Sequence, residues 1–313
     1  MSGEFRHISV LLNESVELLG VKADGTYADG TLGGGGHAEL ICSKLGKDAC
    51  FVGIDRDMTA IGAASERLRK FGDIVHIVHD NFVNIKSILQ KLGVGGLDGA
   101  ILDLGVSSPQ LDEAERGFSY NSNARLDMRM NREDSLSAFE VVNGYPEEEL
   151  ARIIFAYGEE RFARQIAREI VKARAESEIE TTFELCDVIK RAVPPKARFA
   201  DKHPAKRTFQ AIRIEVNREL EPLENALRDF AEVLNPGGVL AVISFHSLED
   251  RIVKQTFAEL ASGCTCPKDF PVCVCGKKPT VKILNRKPIA AGGDELEHNM
   301  RAHSAKLRAV KKI

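Results

Sequence analysis

Asp29-Gly-Thr-Leu-Gly-Gly-Gly-Gly-His37 is the stretch that decides how this chain reads. Five of the seven positions from Gly30 to Gly36 are glycine, too many for ordinary turn chemistry. Glycine permits positive φ and lets a ligand approach the backbone closely. The residues before it, Thr26–Asp29, read as a short strand, and those after it, His37–Leu45, as a helix. The first strand-to-helix crevice of a parallel sheet is where nucleotide-like cofactors lie. The spacing does not fit G-x-x-x-x-G-K-[ST], no Lys follows, and it is not a clean G-x-G-x-x-G either.

The alternation continues outward from this loop. Cys50–Asp55, Ile74–His79 and Leu97–Leu104 read as strands, and Met58–Phe71 and Val83–Leu92 as helices. Short apolar runs alternating with helical patterns predict a parallel sheet flanked by helices. From about Pro109 to Ala205 the alternation stops. The sequence there is helical and charged, with breaks at Gly144-Tyr-Pro146 and Pro194-Pro195 and clear helices at Glu147–Tyr157 and Arg161–Ala175. Thr208–Leu234 is helical, with Pro222 opening its second part, and ends at Asn235-Pro-Gly-Gly238, where a glycine can take a left-handed cap. Val239–Phe245 is a buried strand, Leu248–Leu260 a helix, and Thr280–Ile289 and Ala305–Ile313 two last strands. The expected fold is α/β, a Rossmann-like sheet, mostly parallel with an antiparallel C-terminal edge. Its domain would be residues 1–108 with 206–313, interrupted by a helical domain at 109–205.

Asp55 ends the second strand about twenty residues past the glycines, where a carboxylate can accept hydrogen bonds from ribose hydroxyls. Asp57 nearby reads as a helix N-cap. Asp80-Asn-Phe82 follows the third strand at the same edge, where a polar group and an apolar ring can meet an adenine; Phe82 as plain core is the alternative. Both nicotinamide and adenosylmethionine enzymes use these devices. Two features favour a methyl donor. The glycine loop is looser than the pyrophosphate fingerprint, and the fourth strand runs into a polar turn, Asp103-Leu-Gly-Val-Ser-Ser-Pro-Gln110.

Composition narrows the classes further. The 313 residues are 43% hydrophobic and 28% charged, which excludes a disordered or collagen-like chain. No apolar run is long enough to span a membrane, and the polar start is not a secretory signal, so a cytoplasmic protein is expected. The net charge of −3 gives no global attraction to nucleic acid, so any such contact must be local. Lys190–Arg213 holds eight Lys or Arg against one acid, and Lys277 to the C-terminus ten against three. Such stretches can neutralise phosphates, or can be solvated surface. No internal repeat is present.

The chain as a whole resembles the bacterial small-subunit ribosomal RNA (cytosine-N4)-methyltransferases. The matching segments run in order along nearly all of it: His7-Ile-Ser-Val-Leu-Leu-Asn-Glu14, Asp29–His37, Gly53–Asp57, Asp103–Leu111, Gly117-Phe-Ser119, Leu126-Asp-Met-Arg-Met130, His203–Ile212, Ser244–Arg251 and Ser304–Arg308. The resemblance implies S-adenosylmethionine as cofactor, a helical insertion, and a target cytidine in the decoding centre of 16S ribosomal RNA, so that the partner is the small ribosomal subunit. It places cofactor contacts on Gly35, Gly36, His37, Asp55, Phe82, Asp103 and Gln110. No departure in these motifs points to a dead enzyme.

The chemistry asks for particular groups. The N4 amine of cytosine is a poor nucleophile because its lone pair is delocalised, so nitrogen, methyl and sulfur must be held in line at about 3–3.5 Å. Ser107-Ser-Pro-Gln110 resembles the Ser/Asn/Asp-Pro-Pro-aromatic turn of amino-methylating enzymes, with Gln in place of the aromatic. Ser107, Ser108 and Pro109 are therefore candidates for catalysis, with Ser108 and the turn's carbonyls accepting from the amine. Asp103 is a candidate for holding the cofactor's amino end or taking the surplus proton. A plain polar turn is the alternative. Lys206, Arg207 and Arg213 are candidates for RNA contact, as is His246, for which capping or core packing is an equal alternative. Cys264, Cys266, Cys273 and Cys275 form C-x-C-x6-C-x-C. Structural zinc pairs usually leave two to four residues between ligands, so reduced loop thiols are expected rather than zinc or disulfides, and no metal is assigned. Two rival classes remain: a non-catalytic RNA-binding or assembly factor on a relic sheet, and an NAD-dependent oxidoreductase.

Overall fold

The computed structural model describes residues 9–198, 203–263, 270, 272 and 275–313. The chain divides into two compact units, Met1–Gly105 with Leu220–Ile313, and Val106–Glu219.

The first unit is built on seven strands: β1 Thr26–Asp29, β2 Cys50–Asp55, β3 Val75–His79, β4 Leu97–Asp103, β5 Leu234–Ser244, β6 Val281–Ile283 and β7 Lys306–Lys312. Their order is β3-β2-β1-β4-β5-β7-β6. β1 to β5 pair in parallel, and β7 runs antiparallel to both β5 and β6. This is the expected Rossmann-like sheet with an antiparallel C-terminal edge. β4, and β5 past its exposed entry at Pro236 and Gly237, are buried almost throughout, as strands covered on both faces must be. One face packs Ile85, Ile88, Leu227, Phe230 and Phe257 from the helices Ile85–Leu92, Leu223–Val233 and Ser247–Leu260. The other packs Val16, Leu19, Ile41, Ala64 and Leu68 from Leu12–Leu19, Gly36–Cys42 and Met58–Leu68.

The chain turns from β1 to β2 on one side and reaches β4 on the other. The C-terminal ends of β1 and β4 therefore flank the topological switch point, where open α/β sheets bind ligands. The glycine loop extends both ladders past the strand end. Gly30 N–H donates to the Ile101 carbonyl of β4 at 3.0 Å, and Leu32 N–H to the Ile54 carbonyl of β2 at 2.9 Å.

Two boundary differences from the sequence reading have a clear local cause. The helix Leu223–Val233 stops before the Asn-Pro-Gly-Gly segment, because Leu234 is already extended. Gly237, at φ +85°, bends the entering strand rather than capping a helix. The penultimate strand is also only three residues long. Past Leu284 the Asn285 side chain takes over the pairing, accepting from Ala309 N–H and donating to the Leu307 carbonyl, both at 2.8 Å.

The second unit is mainly helical, around a core that includes Phe118, Leu126, Met128, Ile153, Ile166, Ile189 and Phe209. Its helices are Ala138–Gly144, Glu147–Gly158, Ala163–Glu176, Thr182–Ala192 and Lys206–Asn217, with shorter turns at Ser108–Asp112 and Pro195–Arg198. Ser137 with Glu140, and Thr181 with Glu184, form capping boxes that satisfy the first helical N–H groups. The helix Lys206–Asn217 belongs to this unit, not to the sheet as the 206–313 boundary implied. It packs Phe209, Ala211 and Ile212 into the helical core.

Candidate active site

In the first unit the expected cofactor residues gather at the strand ends around the glycine loop. Gly33 and Gly35 adopt φ of +50° and +75°, which side chains resist. Gly36 has Ser9 Oγ where a Cβ would stand, and Gly30 has a Leu102 methyl there. Gly34 differs from these: its φ is not positive, and an added Cβ would meet nothing within 4 Å. The protein's own packing gives no reason for glycine at that position, whereas a ligand laid against the backbone does.

Three carboxylates surround the loop. Asp29 ends β1, is buried, and accepts from Thr31 N–H at 3.0 Å. Asp55 ends β2; one oxygen accepts from Gly33 N–H at 2.7 Å and the other from Asp57 N–H at 2.9 Å. Arg56 N–H adds a third backbone bond to this carboxylate, whose two oxygens still have capacity for a further donor. Asp103 ends β4; its Oδ2 lies 4.0 Å from His37 Nδ1, and its Oδ1 is buried with no hydrogen-bond partner among the described residues. The Thr31 hydroxyl lies between β1 and β4, donating to Asp29 and accepting from Asp103 N–H at 2.5 Å. His37 is buried, and its Nε2 donates to the Val10 carbonyl at 3.1 Å.

The carboxylates make one another costly. Burial pushes Asp29 up to about 7, against its Thr31 bonds, and Asp55 adds to the rise. Burial also raises Asp55. Asp103 is raised well above the ordinary range, first by burial and then by Asp29 and Glu249. Such a crevice repels an anionic pyrophosphate and favours a positively charged ligand. An orphaned buried oxygen, an open glycine cradle and an acidic donor set thus fit the cationic sulfonium and ammonium groups of S-adenosylmethionine better than a nicotinamide dinucleotide.

The other expected residues of this unit fall as follows. Asp57 caps the helix Met58–Leu68 through Thr59 N–H. Phe82 opens a short turn after β3, partly buried against the core beside Gly30. Asp80 bonds Asn81 N–H and the Asn84 side chain, both at 2.7 Å. His246 is an N-cap: its Nδ1 accepts from Glu249 N–H at 3.4 Å, and Glu249 bonds back to Phe245 N–H and His246 N–H. The capping bond uses only Nδ1; Nε2 is buried with no hydrogen-bond partner among the described residues.

The second unit carries the remaining candidates. Ser107 to Gln110 form the start of one helical turn, Ser108–Asp112, where the buried Gln110 side chain accepts from Ser107 N–H at 3.0 Å. The side chains of Ser108 and Pro109 lie outside what the structure describes. Lys206 and Arg207 are exposed at the start of their helix, and Arg207 donates to the Glu159 carbonyl at 3.0 Å. Arg213 pairs through two nitrogens with Glu219, at 2.9 and 2.8 Å. His203 stacks on Tyr120 with centroids 4.6 Å apart; burial and then Lys190 lower its pKa. Cys264, Cys266 and Cys273 lie outside the described residues, and Cys275 is exposed.

Sequence reasoning missed a polar cleft of about 190 Å³ in this unit, walled by Arg125, Asp127, Arg129, Ser137, Phe139 and Glu140. Asp127 and Arg129 pair at 2.9 and 2.7 Å. Burial opposes the Asp127 charge, but the Arg129 bonds prevail and hold its pKa below the usual range. Met128 between them is left-handed, φ +60°. Asn217 holds it there, donating to the Met128 carbonyl and accepting from Met130 N–H, both at 2.8 Å. A non-glycine residue held at positive φ inside Leu126–Met130 is the signal of a built wall, and only coordinates reveal it.

A profile of the MraW methylase family matches residues 4–313. Two proteins called ribosomal RNA small subunit methyltransferase H, from the Kyoto and Loch Maree strains of Clostridium botulinum, are each 56% identical over 310 residues, covering 99% of this chain and all of theirs. Among solved structures, the alignment to an rRNA methylase from Streptococcus thermophilus covers 98% of both chains at 10% identity and a TM-score of 0.44. With a family match over almost every residue and relatives more than half identical from end to end, the chain belongs to the MraW methylase family.

Proposed function

We propose that this chain is a 16S ribosomal RNA (cytosine-N4)-methyltransferase of the cytoplasm, acting on a cytidine in the decoding centre of the small ribosomal subunit. It is a methyltransferase dependent on S-adenosyl-L-methionine, which when bound supplies a methyl group on a positive sulfonium. The observation that carries the RNA reading is the end-to-end identity to proteins named for the small-subunit ribosomal RNA. The acidic crevice supports the cofactor.

Within that reading each residue has a task. Asp55 accepts hydrogen bonds from ribose hydroxyls with its remaining lone pairs. Gly35, Gly36 and His37 carry the loop and its helix start, and Phe82 offers a ring to the adenine. Asp103 is drawn to its ionised form by a neighbouring positive charge, and, ionised beside the cofactor's cationic groups, can take the proton the amine loses. Ser108 and the carbonyls of the Ser107–Gln110 turn accept from the amine, drawing its lone pair out of the ring. Lys206 and Arg207 meet RNA phosphates. The second unit recognises the RNA. An exocyclic amine stacked in a helix is unreachable in line, so an unpaired or swung-out base is required.

The test is direct. Unmethylated small subunits are incubated with the protein and the methyl-labelled donor, and their RNA is digested to nucleosides. Label should appear in N4-methylcytidine; label in another nucleoside, or none in RNA, would overturn the reading.

A further inference from the structure

The C-terminal edge of the sheet carries charge that the fold does not use. On β7, Lys306 and Arg308 share Asp250, at 3.2 and 2.7 Å, and Lys312 Nζ donates to the Ala231 carbonyl at 2.6 Å. Lys311 differs. It stands directly opposite Lys282 of β6 in the antiparallel register. Both are exposed, and neither has an ion pair among the described residues. Like charges directly opposite on paired strands destabilise a sheet. Lys277, Lys278, Arg286 and Lys287, also exposed and without an ion pair among the described residues, flank β6 at its two ends. The segment past β6 stays tied to β7, since Leu284 N–H donates to the Ala309 carbonyl and Ile289 N–H to the Leu307 carbonyl, both at 3.0 Å. No Asp or Glu occurs from Lys277 to Ile289 or from Lys306 to Ile313.

We infer that this edge, centred on the Lys282–Lys311 pair, is a second RNA-contact surface that binds the phosphodiester backbone, separate from the strand-end crevice. The inference rests on the RNA reading above. The partner's chemistry follows from the pair itself. Two adjacent cations with no protein acid between them are relieved by a shared or neighbouring phosphate. A run of cations along one edge matches a polyanion rather than a single small ion. The surface reads no bases. Its contribution is sequence-independent grip and orientation.

A short edge strand bearing Lys is also a common guard against edge-to-edge pairing, and the experiment separates the two uses. Lys282→Ala with Lys311→Ala, in the full chain, is compared with wild type and with the charge-retaining Lys282→Arg, Lys311→Arg variant. Binding to an in vitro transcript of small-subunit ribosomal RNA is followed across a salt series. Two lost phosphate contacts should lower the slope of log affinity against log salt by about 1.4–1.8, which at 0.1 M salt is about 25- to 60-fold weaker binding. The Arg variant should keep the wild-type slope, thermal stability of the Ala variant should not fall, and S-adenosylmethionine affinity should not change. An unaltered slope with new self-association would make the lysines edge guards and overturn the inference. Equal losses of RNA and cofactor binding would mean a damaged fold and overturn it too. A wild-type protein that binds neither the transcript nor unmethylated small subunits would bring down the RNA reading itself, and this surface with it.

Discussion

Replacing Asp29 by Asn isolates the electrostatics of the crevice. Asp29 is 1% exposed, and its pKa is pushed from 3.8 up to about 7, chiefly by burial. A carboxyl that holds its proton more tightly when folded contributes stability that is complete below about pH 4 and lost as pH rises through about 7. At about 1.4 kcal/mol for each tenfold in proton affinity, that displacement corresponds to about 4 kcal/mol. Asn has the same shape, its oxygen can still accept from Thr31, and it cannot ionise. Urea unfolding of the cofactor-free protein should therefore find Asp29→Asn close to wild type near pH 4. At pH 8 the variant should be the more stable, by up to about 4 kcal/mol. Adding S-adenosylmethionine should narrow the gap at pH 8, because a nearby positive charge relieves the ionised carboxylate only in the wild type. A stability difference that stays the same at pH 5 and pH 8 would refute the claim that Asp29 carries this proton.

Three further outcomes follow from named contacts. Asp55→Ala should weaken S-adenosylmethionine binding by about 1.5–3 kcal/mol for each charge-assisted bond lost, and calorimetry showing unchanged affinity would remove Asp55 from the site. Asn217→Leu leaves the part-buried Met130 N–H and the buried Met128 carbonyl without their partner; at about 1–3 kcal/mol each, denaturant unfolding should show a loss of several kcal/mol, and a loss below 1 kcal/mol would mean the cleft wall does not depend on it. Lys206→Ala with Arg207→Ala should lower the salt slope of RNA binding by about 0.7–0.9 for each contact at constant cofactor affinity, and an unaltered slope would return this helix start to plain surface.

The sheet was legible in the sequence where burial is two-sided. β1 and β2 carry the boundaries expected and β4 differs by one residue, because apolar runs between glycine loops admit little else; β3, an edge strand with no fully buried residue, also differs by only one. Less was visible where a side chain does the backbone's work. Asn285 ends β6 early by pairing with β7 across 22 and 24 residues of chain. His246 caps a helix although histidine is outside the usual capping set; the Glu three residues on was the available sign. The pairing of Arg213, a candidate for RNA contact, was not visible because its partner, Glu219, lies past the helix end. The acidic residues of the crevice were each visible, but their mutual cost was not. It arises from burial and proximity, which spacing does not encode. The cleft wall was beyond reach for the same reason, since Asn217 meets Met128 across 89 residues.

The central claim, methyl transfer to a cytidine amine of small-subunit ribosomal RNA, is tested most directly by nucleoside mass spectrometry. The RNA is taken from cells with the gene, without it, and complemented by wild type or Asp55→Ala. N4-methylcytidine should be present with the gene, absent without it, restored by the wild-type protein and reduced with the variant. Small-subunit RNA with the same N4-methylcytidine content in the presence and absence of the gene would contradict the account.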